Sequence, residues 1–475
     1  MGNFSKASLN GHYAYQLRGL VFPTVSSSGF EFRESGVFTA DGAGNISSGE
    51  DDFLAVGSGI SHDTITGSYS IRNDGAGLAV ISFGPGGVNG SITLAFNMVS
   101  PSRLNIIEVD TFATSAGSAV LQDPNVIAST PSGTFAFHMH SAVSSNGVNS
   151  VARVGEFTIA SGVASGNEDV LTQGGVAQPR TLTGSFNAPD ASGRGTGTIT
   201  DSALVTTSFV YFVVDANTVR FMIDDLGVIG LGAAEKQSAG PFTSASLNGS
   251  YAFGTRGDTL VFGTDGVSTV GRFTTDGAGS VSAGAFDQVQ DGTTSGNVTF
   301  TGTYSVNPNG LGEATLTLTP SVGATITQTY WLVSPNRAFL LVDDVNKVED
   351  GSADTQQAIT YTNSTLSGQF AFGMHGFNLN DTFDRVGTII PNNGNVTFTY
   401  FLNRSGVITL DSQNQPATIS LTGTYAASGN VTGRYTGNVN TLSNNLVFYM
   451  FSATDGYILQ ADTNTQIDGN MSKQP

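Results

Sequence analysis

The sequence LNGHYAY at residues 9–15 occurs four times along the chain, with small changes in each copy. The other copies are PSGTFAF at residues 131–137, LNGSYAF at 247–253 and LSGQFAF at 366–372. Their glycines lie 122, 116 and 119 residues apart, a period that is too long for a solenoid repeat and that suits a small domain. The repetition predicts four like domains, at residues 1–125, 126–240, 241–358 and 359–475.

Within each domain, short strand-like runs alternate with turns rich in glycine, such as DGAG at 41–44 and NDGAG at 73–77. About eight runs fit into the first domain, and their turns are short enough to join antiparallel neighbours. Eight such strands can close into an up-and-down barrel, which removes exposed edges. We predict an all-β protein of four tandem up-and-down β-barrels, with β-sandwiches or an eight-bladed propeller as alternatives.

The four domains alternate in type. Domains one and three share DGAG, at 41–44 and 276–279, whereas domains two and four share FAFxMH, at 135–140 and 370–375. The order is therefore ABAB, as expected if a two-barrel unit was duplicated. Each domain ends in a short strand and a glutamine, and the linkers carry apolar residues, so we expect packed joints and a semi-rigid rod or compact stack.

Composition excludes several classes of function. The formal charge is −19, from 37 acidic and 18 basic residues, and no run of Lys or Arg is present to follow a phosphate backbone, so nucleic acid is a poor candidate partner. There is no cysteine, which excludes disulfides and thiolate metal sites. No apolar stretch approaches the roughly 18 residues that would span a membrane. Residues 4–11 match the domain boundary at 242–249, so we expect a mature product whose export signal has been removed.

The phrases LNGxYAF, GxFTxDGAG and TGTYSV resemble a repeat of secreted and surface-anchored proteins of Acidobacteria. The resemblance covers all four domains and is strongest in domains one and three. Its motifs belong to turns and strands, so it implies an extracytoplasmic location and no particular activity. The domain size and strand count are also similar to those of avidin and lipocalin barrels, a likeness of architecture only.

The position seven residues past each opening glycine is the best candidate for a binding site. It is occupied in turn by Arg18, His140, Arg256 and His375. On an extended strand, Ala14, Gln16 and Arg18 share one face, while Tyr13, Tyr15 and Leu17 share the other. If the first face lines the barrel lumen, each cation holds a small anionic ligand there.

A cation inside a barrel also requires a carboxylate partner. In domain one we expect Glu50, Asp51 or Asp52 in this role, and in domain two Glu168 or Asp169. The alternative is a purely structural ion pair or a solvated strand end.

Other chemistry is weakly indicated. His138 and His140 lie two apart, a spacing that puts both on one strand face, but domain four has Gly373 at the first position and no metal site is predicted. The adjacent acids Asp51 and Asp52 point to opposite faces, which is unsuited to acid–base catalysis, and no nucleophile elbow is present. Trp331 is expected in a core rather than as a sugar platform. We predict no enzyme activity and no cofactor.

These features predict a non-enzymatic, extracellular or cell-surface structural or adhesive protein. Self-association of domain four with domain one of the next copy would give a filament or surface layer. The alternative is a binding module that holds a small anionic ligand or a glycan in the barrel lumens or at the loop ends. No membrane span is expected in the chain.

Overall fold

The fold is known from a computed structural model. It describes residues 3–22, 30–144, 148–259, 266–378, 381–429, 432–439 and 444–475. Three short 3₁₀ helices, Lys6–Ser8, Pro85–Gly87 and Ser244–Ser246, accompany 33 strands in these residues. No helix in the described residues is long and apolar enough to cross a membrane.

The strands form four groups in chain order. The first comprises β1 Asn10–Val21, β2 Phe30–Asp41, β3 Asn45–Ala55, β4 Ser61–Ile71, β5 Ala76–Phe83, β6 Ser91–Ser100, β7 Arg103–Glu108 and β8 Ala113–Leu121. The second comprises β9 Gly133–Ser144, β10 Val148–Ala160, β11 Val163–Thr172, β12 Gln178–Phe186, β13 Arg194–Asp201, β14 Thr206–Asp215, β15 Thr218–Ile223 and β16 Val228–Lys236. The third comprises β17 Asn248–Thr259, β18 Gly266–Asp276, β19 Ser280–Gln290, β20 Thr293–Val306, β21 Glu313–Pro320, β22 Ile326–Ser334, β23 Arg337–Asp344 and β24 Lys347–Thr355. The fourth comprises β25 Phe370–Asn378, β26 Asp381–Asn392, β27 Asn395–Arg404, β28 Val407–Ile408, β29 Ile419–Ala427, β30 Arg434–Val439, β31 Asn444–Met450, β32 Asp455–Gln460 and β33 Thr465–Lys473.

Each group is a closed antiparallel barrel of eight strands, and in the fourth the two-residue β28 is an addition to β27. In the first barrel, β1 pairs with both β2 and β8, and the other three barrels close in the same way. Among the described strands, every ladder joins two strands of one barrel. The predicted all-β fold of four up-and-down barrels is therefore confirmed, and the sandwich and propeller alternatives are wrong.

The barrel interiors are filled with apolar side chains. In the first barrel Tyr13, Tyr15 and Leu17 point into the core, together with side chains from the other seven strands. Ala14, on the opposite face of β1, is also fully buried, because the second barrel covers it. The first strand thus has two buried faces, and only one of them belongs to the barrel lumen.

Apolar contacts join the barrels in a closed ring. Ala14 and Val37 of the first barrel pack on Val210 and Phe212 of the second. Similar clusters join the second barrel to the third and the third to the fourth. A further cluster packs Phe401 of the fourth barrel against the first barrel, so no barrel lies at an end.

Each barrel is followed by a glutamine whose side chain reaches into the next barrel. The Nε2 amide of Gln122 donates to the carbonyl oxygens of Val213 at 2.7 Å and Ser192 at 3.1 Å. The equivalent bonds run from Gln237 to Leu332 (2.7 Å) and Leu311 (3.0 Å), from Gln356 to Met450 (2.7 Å) and Thr432 (3.2 Å), and from Gln474 to Met98 (2.5 Å) and Asp74 (3.1 Å). The last pair of acceptors lies in the first barrel, so one repeated contact closes the ring.

The ring also preserves the ABAB alternation. At the joint between barrels one and two, Arg194 makes a bidentate pair with Asp52 at 2.6 and 2.9 Å. Arg434 makes the same pair with Asp287 between barrels three and four, at 2.7 Å for both bonds. The other two joints use different contacts, among them the Trp331 indole N–H donating to Asp169 at 2.8 Å.

The four barrels form a closed ring, so of the two shapes expected from the packed linkers the rod is wrong and a compact arrangement is found. The face of barrel four that would meet the next copy instead packs on barrel one of the same chain. There Asn403 donates through Nδ2 to the carbonyl oxygens of Glu108 at 2.8 Å and Ala113 at 2.9 Å. This joint is therefore made within one molecule, and a filament would need a different contact between copies.

Candidate binding site at the centre of the ring

A cavity of about 570 Å³ lies where the four barrels meet. Its walls are built mainly from the first and last strands of each barrel, which face the centre of the ring. The four residues selected from the sequence, Arg18, His140, Arg256 and His375, all line it. The structure therefore brings them together in one place, outside the barrels and not in the lumens, so the expectation of a lumen site is wrong.

Glycines in the last strands shape this wall, and sequence reasoning missed them. Gly117, Gly232, Gly351 and Gly469 each pair with the residue just before the repeated cation. A Cβ on Gly117 would lie 1.8 Å from the carbonyl oxygen of Gln16, and one on Gly469 would lie 1.8 Å from that of Gly373. Only glycine allows this close approach. The signal was available, since the glycine recurs at one fixed place in every domain.

His140 lies at the centre of a charged cluster between barrels two and three. Its Nδ1 is 2.6 Å from Asp350 and its Nε2 is 3.1 Å from Asp258, while His138 Nδ1 lies 3.2 Å from Asp350. Burial opposes charge on His140, but the two aspartates outweigh it and raise its pKa to about 10. His140 is therefore a cation at neutral pH. The prediction that both histidines share one face is confirmed.

Arg256 and His375 are also held by carboxylates. Arg256 donates through Nε to Asp468 of barrel four at 2.6 Å. Its Nη2 bonds the carbonyl oxygen of His375, and its Nη1 is buried without an acceptor among the described residues. His375 bonds Asp384 of its own barrel.

Arg18 differs from the other three. No ion pair joins it to a carboxylate in the part of the chain that the structure describes. Its direct neighbours across the ladders are Arg33 on β2 and Ala116 on β8. Arg33 is paired with Glu31 at 2.9 Å, and both residues line the cavity. Two arginines thus stand side by side on the wall formed by barrel one.

Among the described residues, Arg18 lacks a carboxylate partner because of one position in the last strand of each barrel. The residue paired with the repeated cation is Asp350 in barrel three and Asp468 in barrel four, and each carboxylate serves the cation of the preceding barrel. Barrels one and two have Ala116 and Leu231 at that position. Barrel two therefore presents no carboxylate to Arg18 at that position.

The carboxylates expected to pair with the cations have other partners. Asp51 points into the first barrel and accepts from the Tyr15 hydroxyl at 2.5 Å, and burial raises its pKa to about 7. Asp52 points outward to Arg194, so the prediction that these neighbours face opposite ways is confirmed.

The remaining candidate carboxylates also serve elsewhere. Glu50 accepts from the Ser192 hydroxyl at 3.2 Å, Glu168 pairs with Arg153 inside barrel two at 2.8 Å, and Asp169 accepts from Trp331. Trp331 is 1% exposed and packs in the joint between barrels two and three, so it is buried as expected, although in an interface between barrels. The described residues contain no group of three or more His, Asp or Glu side chains placed to hold a metal ion.

No family model and no curated protein matches the chain. Similar solved structures include intact Ap-TbpB, with its N and C lobes, and the isotype 1 transferrin binding protein B (TbpB) from serogroup B Neisseria meningitidis. Each is 9% identical over 78% of this chain and 84% of its own length, with a TM-score of 0.17. Similarity at this level carries no inference about function, and none of these matches supports the resemblance to Acidobacteria proteins. The eight-stranded closure itself agrees with the architectural likeness to avidin and lipocalin barrels.

Proposed function

We propose that the protein is a non-enzymatic binding protein that holds one small organic anion in the central cavity. The supporting observation is that one repeated position supplies an arginine or a histidine from each of the four barrels to the same cavity. A volume of about 570 Å³ is in the range of small-molecule sites. The cavities inside barrels one and four, of about 30 and 20 Å³, are too small for such a ligand, which favours the centre of the ring.

The anion binds on the wall formed by barrel one. Asp258, Asp350 and Asp468 are each engaged by a cation of the ring, whereas Arg18 has no carboxylate partner among the described residues. A guanidinium binds carboxylate, sulfate or phosphate oxygens in a two-pronged geometry. Polar groups elsewhere in the lining, such as Asn470 and Ser352, suit a ligand that also carries hydroxyl groups. An acidic monosaccharide has this chemistry, since it is both a small anion and a sugar.

The experiment is calorimetric titration at neutral pH with glucuronate, citrate and glucose 1-phosphate, and with glucose as the uncharged probe. We expect at least one anion to bind with one site per chain, and glucose not to bind. Arg18→Met should weaken binding at least tenfold. Arg404→Met is the matched control, because Arg404 is an exposed arginine outside the cavity. Absence of binding by every anion at millimolar concentration, or equal binding by both variants, would refute the proposal.

A structural role is the second candidate, and the packed barrel interiors and repeated joints favour it. A rigid ring that presents four sets of loops would serve as a scaffold at a cell surface. The extracellular location belongs to this proposal and rests on the resemblance of the repeat phrases to those of secreted proteins. Recovery of the protein in the cytoplasmic fraction of its source cells would contradict that location.

A further inference from the structure

The fourth barrel contains a buried cation that the central cavity does not use. Arg385, on β26, is only 8% exposed and points into the barrel interior, where its guanidinium lies over the rings of Phe383 at 5.3 Å and Tyr400 at 5.6 Å. Its Nη1 donates to the Gln460 side-chain oxygen at 2.7 Å. Its Nε is buried and has no acceptor in the described part of the chain.

In the second barrel, the arginine at the equivalent position is paired with a carboxylate. Arg153 and Arg385 each stand two residues before a glycine in the second strand of their barrel. Arg153 pairs with Glu168 at 2.8 Å and lies 3.5 Å from Asp201. Glu168 stands opposite Gly155, and the residue opposite the equivalent glycine of barrel four is Tyr400. Both barrels therefore have the arginine, but barrel four has a phenol where barrel two has a carboxylate.

A buried charge without a counter-charge is costly, since taking an ion out of water costs several kcal/mol in real proteins. No described carboxylate forms an ion pair with Arg385. In a closely packed apolar interior, nothing would compensate for the lost hydration of the charge. The barrel is not fully packed at this point, however.

Arg385 lines a cavity of about 20 Å³, and Phe372, Phe398 and Tyr400 are among its other walls. That volume exceeds the roughly 10–15 Å³ needed for a particle the size of a water molecule. The cavity therefore lies beside a buried arginine that has no carboxylate in an ion pair and no acceptor for its Nε among the described residues. A water molecule would fill the space and accept the hydrogen bond, but it would not supply the charge.

We propose that a halide, chloride under ordinary conditions, binds inside the fourth barrel beside Arg385. The anion takes the place that the Glu168 carboxylate has in barrel two and accepts the hydrogen bond from Arg385 Nε. This site is independent of the central cavity. It therefore does not depend on the proposed function.

The test uses the full-length protein and its melting temperature in sodium chloride and in sodium fluoride at equal ionic strength, because fluoride is too strongly hydrated to enter an apolar cavity. We expect chloride to raise the melting temperature of the wild type with saturation, because a ligand that binds only the folded state stabilises it. Tyr400→Glu restores the carboxylate of barrel two, so this variant should fold and lose the chloride effect. Arg385→Met should lose it as well, whereas Arg18→Met should retain it.

Crystals grown in sodium bromide give the position directly, since bromide scatters anomalously. An anomalous peak inside the fourth barrel next to Arg385 is the expected result. Its absence would mean that water fills the cavity and would overturn the proposal. An equal chloride effect in the wild type and Tyr400→Glu would also overturn it, because that effect would arise elsewhere on the protein.

Discussion

Replacing Gln474 by alanine tests the joint that closes the ring. The Nε2 amide of this side chain donates to the carbonyl oxygens of Met98 at 2.5 Å and Asp74 at 3.1 Å, and lies 3.1 Å from the Asn97 side-chain oxygen. Gln474 is 5% exposed, although it follows the last strand of the fourth barrel. In an open rod these acceptors would be out of its reach.

The magnitude follows from the bonds that are lost. A hydrogen bond contributes about 0.5–1.5 kcal/mol net, and leaving a buried acceptor unsatisfied costs about 1–3 kcal/mol. We therefore expect Gln474→Ala to lower the free energy of unfolding by about 2–4 kcal/mol. Gln122→Ala removes the same two bonds at the first joint and should cost a similar amount.

The assay is equilibrium denaturation in guanidinium chloride, followed by far-ultraviolet circular dichroism. Gln357→Ala, which removes a more exposed amide just after Gln356, serves as the control and should change stability by less than about 0.5 kcal/mol. The reasoning is refuted if Gln474→Ala behaves like this control while Gln122→Ala is costly. In that case barrel four would not be joined to barrel one.

Three further predictions concern charged groups. The two aspartates that raise the pKa of His140 from its ordinary 6.5 to about 10 stabilise the folded state, and this contribution is complete below pH 6.5. Calorimetry should show it being lost as the pH rises from 6.5 to 10, and His140→Asn should remove that pH dependence. Burial raises the pKa of Glu108 to about 8, so its ionisation destabilises barrel one as the pH rises from about 4.5 to 8; Glu108→Gln should raise the melting temperature at pH 9 and leave it almost unchanged at pH 4. Arg194→Met leaves the fully buried Asp52 without its bidentate partner and should cost about 3 kcal/mol in guanidinium denaturation, whereas Arg404→Met, at an exposed pair, should cost less than about 1 kcal/mol.

Much of the barrel fold could be predicted because its signals are local. Short turns such as residues 41–44 force neighbouring strands to pair, and a closed ladder of eight follows from the number of runs in each domain. The repeated cation could be found because it stands at one offset from a repeated glycine. Its face could not be assigned, since Tyr13 and Ala14 are both fully buried, one in a barrel and the other in a joint.

The ring could not be predicted because its contacts join residues far apart in the chain. The glutamine that ends each domain was visible as a landmark, but its acceptors are backbone carbonyls, which leave no trace in the sequence. The carboxylate partners of the cations could not be predicted either, because they lie far from the cations along the chain. Asp350 and Asp468 act across joints, on barrels that precede them.

The most direct test of the closed ring is a disulfide across the joint between barrels four and one. A Cβ placed on Gly373 would lie 3.1 Å from the Asn105 Cβ, a little shorter than the roughly 3.5–4.5 Å found in disulfides, so a small separation of the two strands allows the bond. The natural chain has no cysteine. The double variant Asn105→Cys and Gly373→Cys, oxidised at high dilution, should form an intrachain bond. A faster-migrating monomer on non-reducing gels, with no free thiol, would confirm the ring. Two free thiols, or disulfide-linked dimers only, would contradict it.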